Sequence, residues 1–445
     1  MTATPSNNGV TARLREAGVV GAGGAGFPVH VKWAARVDTV IANGAECEPL
    51  LHKDAEIIEN FAAEVLDGLR MAAAATGAER LCFGIKAKKK KAIAEIEKHG
   101  PSRGVELSLL GDYYPTGDEF ELVHAVTGRL IPPAGLPLQV GVVVNNVESL
   151  LNAALAEAGK PVTDKFVTIA GAVKRPTTFR IPLGVSFGEA IAAAGGVTVE
   201  RPAIFVGGVM MGRLTRDLAE PITKTTTGLI VLPEEHHLVE RMTRPIGAKN
   251  RIGKSACDQC SYCTEFCPRY LLGYDVQPHK VMRTLGFSAL GSDFWSKWGD
   301  LCCACGLCTL YACPEELYPK EACDQAKARM RQLGEKWRGP DVPLRTHPMA
   351  EGRRVPLKKL EQKLGILSYE QPAPFDGREW SPARVRILMK QHAGAPAAPI
   401  VGPGARVAAG QKIADVRQDQ LGVPLHASIA GRVTSANENE IVVEA

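Results

Sequence analysis

Two short runs of cysteine carry the most conspicuous chemistry in this chain. The first, SACDQCSYCTEFCPRYLLG (residues 255–273), holds Cys257, Cys260, Cys263 and Cys267, the last followed by Pro268. The second, LCCACGLCTLYACPEE, holds Cys302, Cys303, Cys305, Cys308 and Cys313, the last followed by Pro314. A C-x2-C-x2-C-x3-C-P run has the spacing that wraps a [4Fe–4S] cube. Three thiolates two residues apart hold one corner, and the last cysteine, turned away before its proline, suits another. The second run repeats the pattern with Cys302, Cys305, Cys308 and, one residue late, Cys313. Disulfide frameworks belong to small secreted domains, and structural zinc usually takes paired C-x2-C units with a longer loop between them. The repeat favours two cubane clusters, with zinc as the alternative. Cys303 and Cys323 read as spare thiols, although Cys303 could replace Cys302 as a ligand. Cys82, inside RLCFGI, reads as a core residue.

A second candidate site lies near the N-terminus. GVVGAGGAGFPVHVKW contains a formal G-x-G-x-x-G at Gly21, Gly23 and Gly26, with Gly24 inside it. A dinucleotide fingerprint should follow a buried strand, and here only two valines precede it. The physical content does not need that label: glycines let a ligand approach the backbone N–H groups, and Lys32 adds positive charge for a phosphate. A plain glycine hinge is the alternative. Three further stretches add polar groups. NGAECEPLLHKD places Glu46 and Glu48 near Asn43, YYPTGDEFELV places Asp118 and Glu119 after Gly117, and VVVNNVESL ends a strand on Asn145 and Asn146. Amides and carboxylates at strand ends suit a flavin's ribityl chain and a nicotinamide ribose. They are also ordinary turn formers.

These residues need a scaffold. A chain of 445 residues suggests about three or four domains. With 53 Lys+Arg against 48 Asp+Glu, the net charge of +5 is too small and too evenly spread for a nucleic-acid binder. No apolar run approaches a membrane span, and MTATPSNNGVTARLREAG lacks the apolar core of a signal peptide. Ten of the 12 cysteines fall between residues 257 and 323, which suits metal ligation in a reducing, cytoplasmic compartment. Helix-like DAEIIENFAAEVLDGLRMAAAATG alternates with short strands over residues 1–160, the pattern of an α/β domain. Two strands and a helix ending at Gly195-Gly196 open a small α+β unit at 161–240, completed by AIFVGG and GLIVLP. The cluster segment fills 241–338, including helix-like KEACDQAKARMRQLGEKW. Residues 339–383 are Pro-rich bracing, and 384–445 read as a compact all-β module. The lysine run KAKKKKAIAEIEKHG reads as a solvated helix face, and His236 and His237 as loop histidines.

In their order, GAGGAGFP…K, NGAECEP…KD, GDE and NNVESL resemble the FMN- and NADH-binding subunit of respiratory complex I. The resemblance is closer to the RnfC-like family, and within it to the cobalamin reductases of propanediol-utilisation microcompartments. It covers nearly the whole chain. It implies an α/β FMN/NADH-binding domain, an SLBB-type β-grasp, a helical two-cluster ferredoxin-like segment and a C-terminal barrel-sandwich hybrid. It also implies FMN held by Gly21, Gly23, Gly24, Gly26, Lys32, Asn43, Asn145 and Asn146, and NADH docking near Phe27, Glu48 and Glu119, with Glu46, Gly117 and Asp118 in the same cofactor site. By the two-cluster ferredoxin pattern, Cys257, Cys260 and Cys263 share a cube with Cys313, and Cys302, Cys305 and Cys308 share one with Cys267. Two departures stand out. Ala45-Glu46-Cys47-Glu48-Pro49 lacks one acid of the complex I motif, and the hairpin HASIAGRV of the C-terminal module has no lysine to acylate, so that module reads as a packing unit.

The function implied is NADH oxidation through FMN, with single electrons passing over two [4Fe–4S] clusters to cobalamin or another low-potential acceptor. Implied partners are a cobalamin adenosyltransferase and microcompartment shell proteins, with the microcompartment lumen as location. The alternatives are an RnfC-like protein docked on a membrane complex and a reductase feeding a glycyl-radical activating enzyme.

Overall fold

The computed structural model describes residues 8–286, 296–339 and 342–445. Residues 1–7 of the stretch read for a leader, 287–295 of the cluster segment and 340–341 of the Pro-rich connection lie outside the described residues.

Four short strands, Thr39–Gly44, Arg80–Lys86, Val105–Leu110 and Val142–Asn146, pair in parallel. Val105–Leu110 lies at one edge, followed by Arg80–Lys86, Thr39–Gly44 and Val142–Asn146. The chain therefore builds outward from Thr39–Gly44 in one direction and then returns to its other side. In such sheets the crevice beyond the carboxyl ends of the two strands flanking the reversal is where ligands sit. Those two strands end on Asn43 and Asn146, which are register partners.

Helix Lys53–Thr76 covers one face and packs against helix Val147–Glu157. The crossing is close enough to require Gly68, because a Cβ there would lie 2.1 Å from the Leu150 carbonyl oxygen. Trp33, Ile57, Phe83, Val147 and Phe166 belong to the core beneath. Helix Glu119–Thr127 closes the other face over Ile41, Cys82 and Val144, so Cys82 is a core residue. The lysine run departs from the expected solvated face at its start. Lys86 still belongs to its strand, is 1% exposed and places Nζ 3.1 Å from Asp112. Only after Lys89 does the run open helix Lys90–His99, which carries its lysines outward.

The second unit is a six-stranded mixed sheet in the order Phe375–Asp376, Thr177–Pro182, Asp164–Gly171, Gly228–Pro233, Pro202–Val206, Arg213–Thr215. Its central pair, Asp164–Gly171 and Gly228–Pro233, is parallel, as in a β-grasp. Helix Phe187–Ala193 begins with a reciprocal cap. Glu189 N donates to Ser186 Oγ (3.2 Å) and Ser186 N donates to Glu189 Oε2 (3.1 Å).

Two small antiparallel sheets form the C-terminal module. Val385, Ile387, Val433 and Val443 from this module share one core with Val167, Phe179 and Leu229 of the β-grasp. Its Ala393 N also donates to Gly26 O at 3.0 Å, so the module braces the N-terminal glycine loop. The cluster segment is built from short helices, and the sequence-predicted helix after it spans Pro319–Gln332, stopping before Gly334 at φ 69°. Among the described residues, no helix is long and apolar enough to cross a membrane.

Candidate functional site

The glycine run folds back on itself. Gly21 N donates to Phe27 O (2.8 Å) and Gly26 N donates to Gly21 O (3.2 Å). Gly24 has φ 126° and Gly26 φ 65°, conformations that a side chain resists. Around Gly24 there is open space, and a Cβ at Gly23 would fill the gap to the Asn146 side chain, 3.5 Å away. Phe27, 36% exposed, closes the loop. Lys32 Nζ donates to Val144 O (2.8 Å) and lies 3.6 Å from Glu119.

The strand-end amides differ in how they are engaged. Asn43 is a turn brace: Nδ2 donates to Gly117 O (2.9 Å) and Oδ1 accepts from Ala45 N (3.1 Å). Asn146 caps helix Val147–Glu157 by accepting from Glu148 N, and its Nδ2 donates to Asp54 (2.9 Å). Asn145 accepts from Trp33 Nε1 (2.9 Å), yet its buried Nδ2 has no partner. An orphaned buried donor is costly and points to a ligand acceptor.

The carboxylates are more committed than their sequence positions suggest. Glu48 Oε1 accepts from Met210 N (2.5 Å) and Met211 N (3.2 Å), anchoring a β-grasp loop to the α/β unit. Burial pushes the Glu48 carboxyl up to about 8, so it is mostly uncharged at neutral pH. Glu46 Oε1 accepts from Glu48 N (3.0 Å), and burial also raises its carboxyl. Asp118 caps helix Glu119–Thr127 and pairs with Arg269 at 2.5 Å; Arg269 in turn stacks 3.9 Å over Phe120. Arg269 follows Cys267-Pro268 directly, so this pair ties the α/β unit to the first cysteine run. Glu119 remains 39% exposed at its side chain.

A cleft of about 810 Å³ joins these elements. Gly23, Gly24, Glu46, Glu48, Gly117, Asp118 and Glu119 line one side, and Cys305 lies on its wall. Tyr114 OH donates to Cys305 O (2.8 Å), fixing the second cysteine run against the α/β unit. Thr223, Thr225, Thr226 and Thr227 also line the cleft, and sequence reading passed over them. Their one signal is TKTTTG, a polar run immediately before a buried strand.

The cysteines assemble across the two runs. Cys257, Cys260, Cys263 and Cys313 line one small cavity. Burial pushes the Cys263 thiol up to about 12, and among neighbouring thiols Cys313 contributes most, ahead of Cys257 and Cys260. Burial also raises Cys267, but its thiol neighbours are Cys303 and Cys302. Each prolyl cysteine thus stands with the opposite run. The runs are local copies of each other: Gln259 and Ser261 have φ 62° and 65°, and their counterparts Ala304 and Gly306 have φ 58° and 84°. The extra residue before Cys313 is absorbed in a π-helical turn, Cys308–Ala312, where the first run has the α-turn Tyr262–Glu265. Both prolyl cysteines then leave with the same backbone, φ −72° and ψ 120° at Cys267, φ −72° and ψ 117° at Cys313. Backbone and side-chain N–H groups also reach sulfur, with Ala304 N donating to Cys302 Sγ (3.3 Å) and Gln259 Nε2 to Cys257 Sγ (3.1 Å). Cys323 is fully buried, and His236 caps helix His237–Thr243 while stacking on His237. Among the described residues, no three His, Cys, Asp or Glu converge on a point that a single metal ion would occupy.

Residues 14–155 match the Nuo51 FMN-binding domain, 166–214 the SLBB domain, 256–318 the 4Fe-4S dicluster domain and 378–444 the RnfC barrel sandwich hybrid domain. Cobalamin reductase PduS of Citrobacter freundii is 40% identical over 97% of this chain and 95% of its own length. The protein of the same name from Salmonella typhimurium is 41% identical over the same shares. The chain belongs to the PduS family. The RnfC-type component of the proton-translocating ferredoxin:NAD(+) oxidoreductase complex of Clostridium ljungdahlii is 36% identical over 58% of this chain and 55% of its own length, so the PduS likeness includes parts that this second likeness does not reach. The chain is an oxidoreductase with an FMN-binding domain and a domain for two [4Fe–4S] clusters, and zinc is set aside as the ligand of the cysteine runs. The residues present fit FMN: an orphaned amide donor at Asn145, an open glycine loop and the nearby Lys32 cation suit a polar chain ending in phosphate.

Proposed function

We propose that this chain oxidises NADH and reduces cobalamin, from cob(III) or cob(II) to cob(I)alamin, in the lumen of a bacterial microcompartment, with an adenosyltransferase as the consumer. The observation that carries the electron-transfer part is one cleft lined by Gly23 and Gly24 and also by Cys305. The acceptor is supported by the two cobalamin reductases that match over nearly the full chain. FMN, when bound, exchanges a hydride pair for single electrons, which is why a flavin site adjoins thiols spaced for iron–sulfur clusters. The chain's own residues do the rest. Gly21, Gly23, Gly24 and Gly26 offer N–H groups and close approach, Lys32 supplies charge, Asn145 offers its free Nδ2, and Phe27 is placed to stack on a ring. Cys257, Cys260, Cys263 and Cys313 would hold one cube, and Cys267, Cys302, Cys305 and Cys308 the other.

Dinucleotide choice falls to Glu119. Glu48 was the other candidate for the ribose hydroxyls, but its oxygen is occupied by Met210 and Met211 and its carboxyl is mostly neutral. A charged carboxylate repels a 2′-phosphate. NADH should therefore bleach the flavin at least about tenfold more efficiently than NADPH. Glu119→Gln should narrow that ratio several-fold, and Glu48→Gln should leave it. Anaerobic mixing of the purified protein with each nucleotide reads this directly, and acid precipitation of the same sample should release free yellow FMN. Equal bleaching by both nucleotides would remove the role of Glu119.

A further inference from the structure

Beneath the glycine loop lie four charged side chains that no cofactor contact requires. Lys53, Asp54, Glu148 and Lys165 are each 3% exposed or less. Lys53 Nζ donates to Asp54 Oδ1 (2.5 Å) and to Glu148 Oε2 (3.2 Å), and Lys165 Nζ also bonds Glu148 Oε2. Buried ion pairs like these recover at best part of their desolvation cost, so they contribute little net stability and call for another role. Their remaining hydrogen bonds indicate what it is. Lys165 Nζ donates to Ala22 O (3.1 Å), and Ala22 N donates to Ser149 Oγ (2.9 Å), next to Glu148 in the chain. The peptide groups on both sides of Ala22, in the middle of Gly21–Gly24, are thus each held by a side chain. On the opposite wall, Asp54 Oδ2 accepts from Asn146 Nδ2 (2.9 Å), and Asn146 faces Gly23.

We infer that this network positions the two walls of the flavin cradle, with Lys165 and Ser149 as the residues that fix the glycine loop. The inference rests on the reading of that loop as the FMN site. Lys165 belongs to strand Asp164–Gly171 of the β-grasp, so the second unit contributes a positioning residue to the flavin site of the first. A loop with Gly24 and Gly26 at positive φ has many other conformations open to it, and tethering Ala22 on both sides removes them before the ligand arrives. Preorganisation of this kind raises affinity without adding a contact to the ligand.

The test uses the full-length, iron-loaded protein stripped of flavin and titrated with FMN by flavin fluorescence. The visible circular dichroism of the bound flavin is then recorded at saturation. Wild type must bind FMN; if it does not, the reading of the site fails rather than this inference. Lys165→Met should weaken FMN by tenfold or more and alter the flavin dichroism while iron content stays at the wild-type level. Ser149→Ala, a milder change that keeps every charge, should weaken FMN in the same direction, and it decides the matter if Lys165→Met does not fold. Affinities within twofold of wild type would overturn the inference. So would weaker binding with unchanged dichroism, which marks a merely structural effect.

Discussion

Replacing Cys267 with alanine is expected to cost the protein the cluster built on the second cysteine run, although Cys267 belongs to the first. The thiols around Cys267 are Cys303 and Cys302, whereas Cys313 stands with Cys257, Cys260 and Cys263 in one cavity. Iron should fall from about eight to about four per chain, and the surviving paramagnetic signal after reduction should be that of the first-run cluster. Cys313→Ala should leave the complementary signal. Because each prolyl cysteine joins the two runs, both variants should also loosen residues 257–313 and lower the unfolding midpoint. Iron analysis with paramagnetic resonance on each variant decides it. Loss of the first-run cluster in Cys267→Ala, with the second intact, would mean uncrossed ligation.

The second large effect is expected at Gly117. A Cβ at this position would lie 2.4 Å from Ala45 O and 3.2 Å from Ala45 C, both backbone atoms that cannot rotate away. Gly117→Ala must therefore separate the loop before helix Glu119–Thr127 from the turn after Thr39–Gly44. That breaks the bond from Asn43 Nδ2 to Gly117 O and shifts Glu46, Cys47 and Asp118 along the cleft wall. Overpacking of this kind costs about 1–3 kcal/mol. FMN retention should fall on the order of tenfold or more, because a displacement of about 1 Å misaligns a preorganised site. The checks are flavin-to-protein ratio after gel filtration and iron content. Wild-type flavin retention would show that the turn and the loop move independently.

The cysteine chemistry was legible because cluster spacing is local: each C-x2-C-x2-C run is one continuous turn of chain. Even the late Cys313 has a local cause, the π-helical turn Cys308–Ala312, although spacing alone presents it as an irregularity. The glycine loop and the paired asparagines were legible for a related reason, since strand ends at the reversal of a parallel sheet are where ligands sit. The carboxylates were not. Glu48 and Asp118 have their partners in other domains, the Met210–Met211 backbone and Arg269, and no local pattern announces contacts 162 or 151 residues away. The same holds for Lys165, which in sequence is one charged residue at the start of a strand. Lys86 failed in the opposite direction: a run of lysines suggests a solvated helix, but the first of them still belongs to a buried strand. The threonines at 223–227 looked like turn residues, and only the packing of the β-grasp on the α/β unit places them in the cleft.

The most direct measurement is NADH-driven formation of cob(I)alamin by the purified protein carrying FMN and its full iron complement, followed anaerobically by the cob(I)alamin absorption band. Formation of cob(I)alamin that requires NADH, and that is lost when iron is removed while the flavin still bleaches, is the predicted result. Complete bleaching of the flavin by NADH with cobalamin left unreduced by the iron-loaded protein would contradict it.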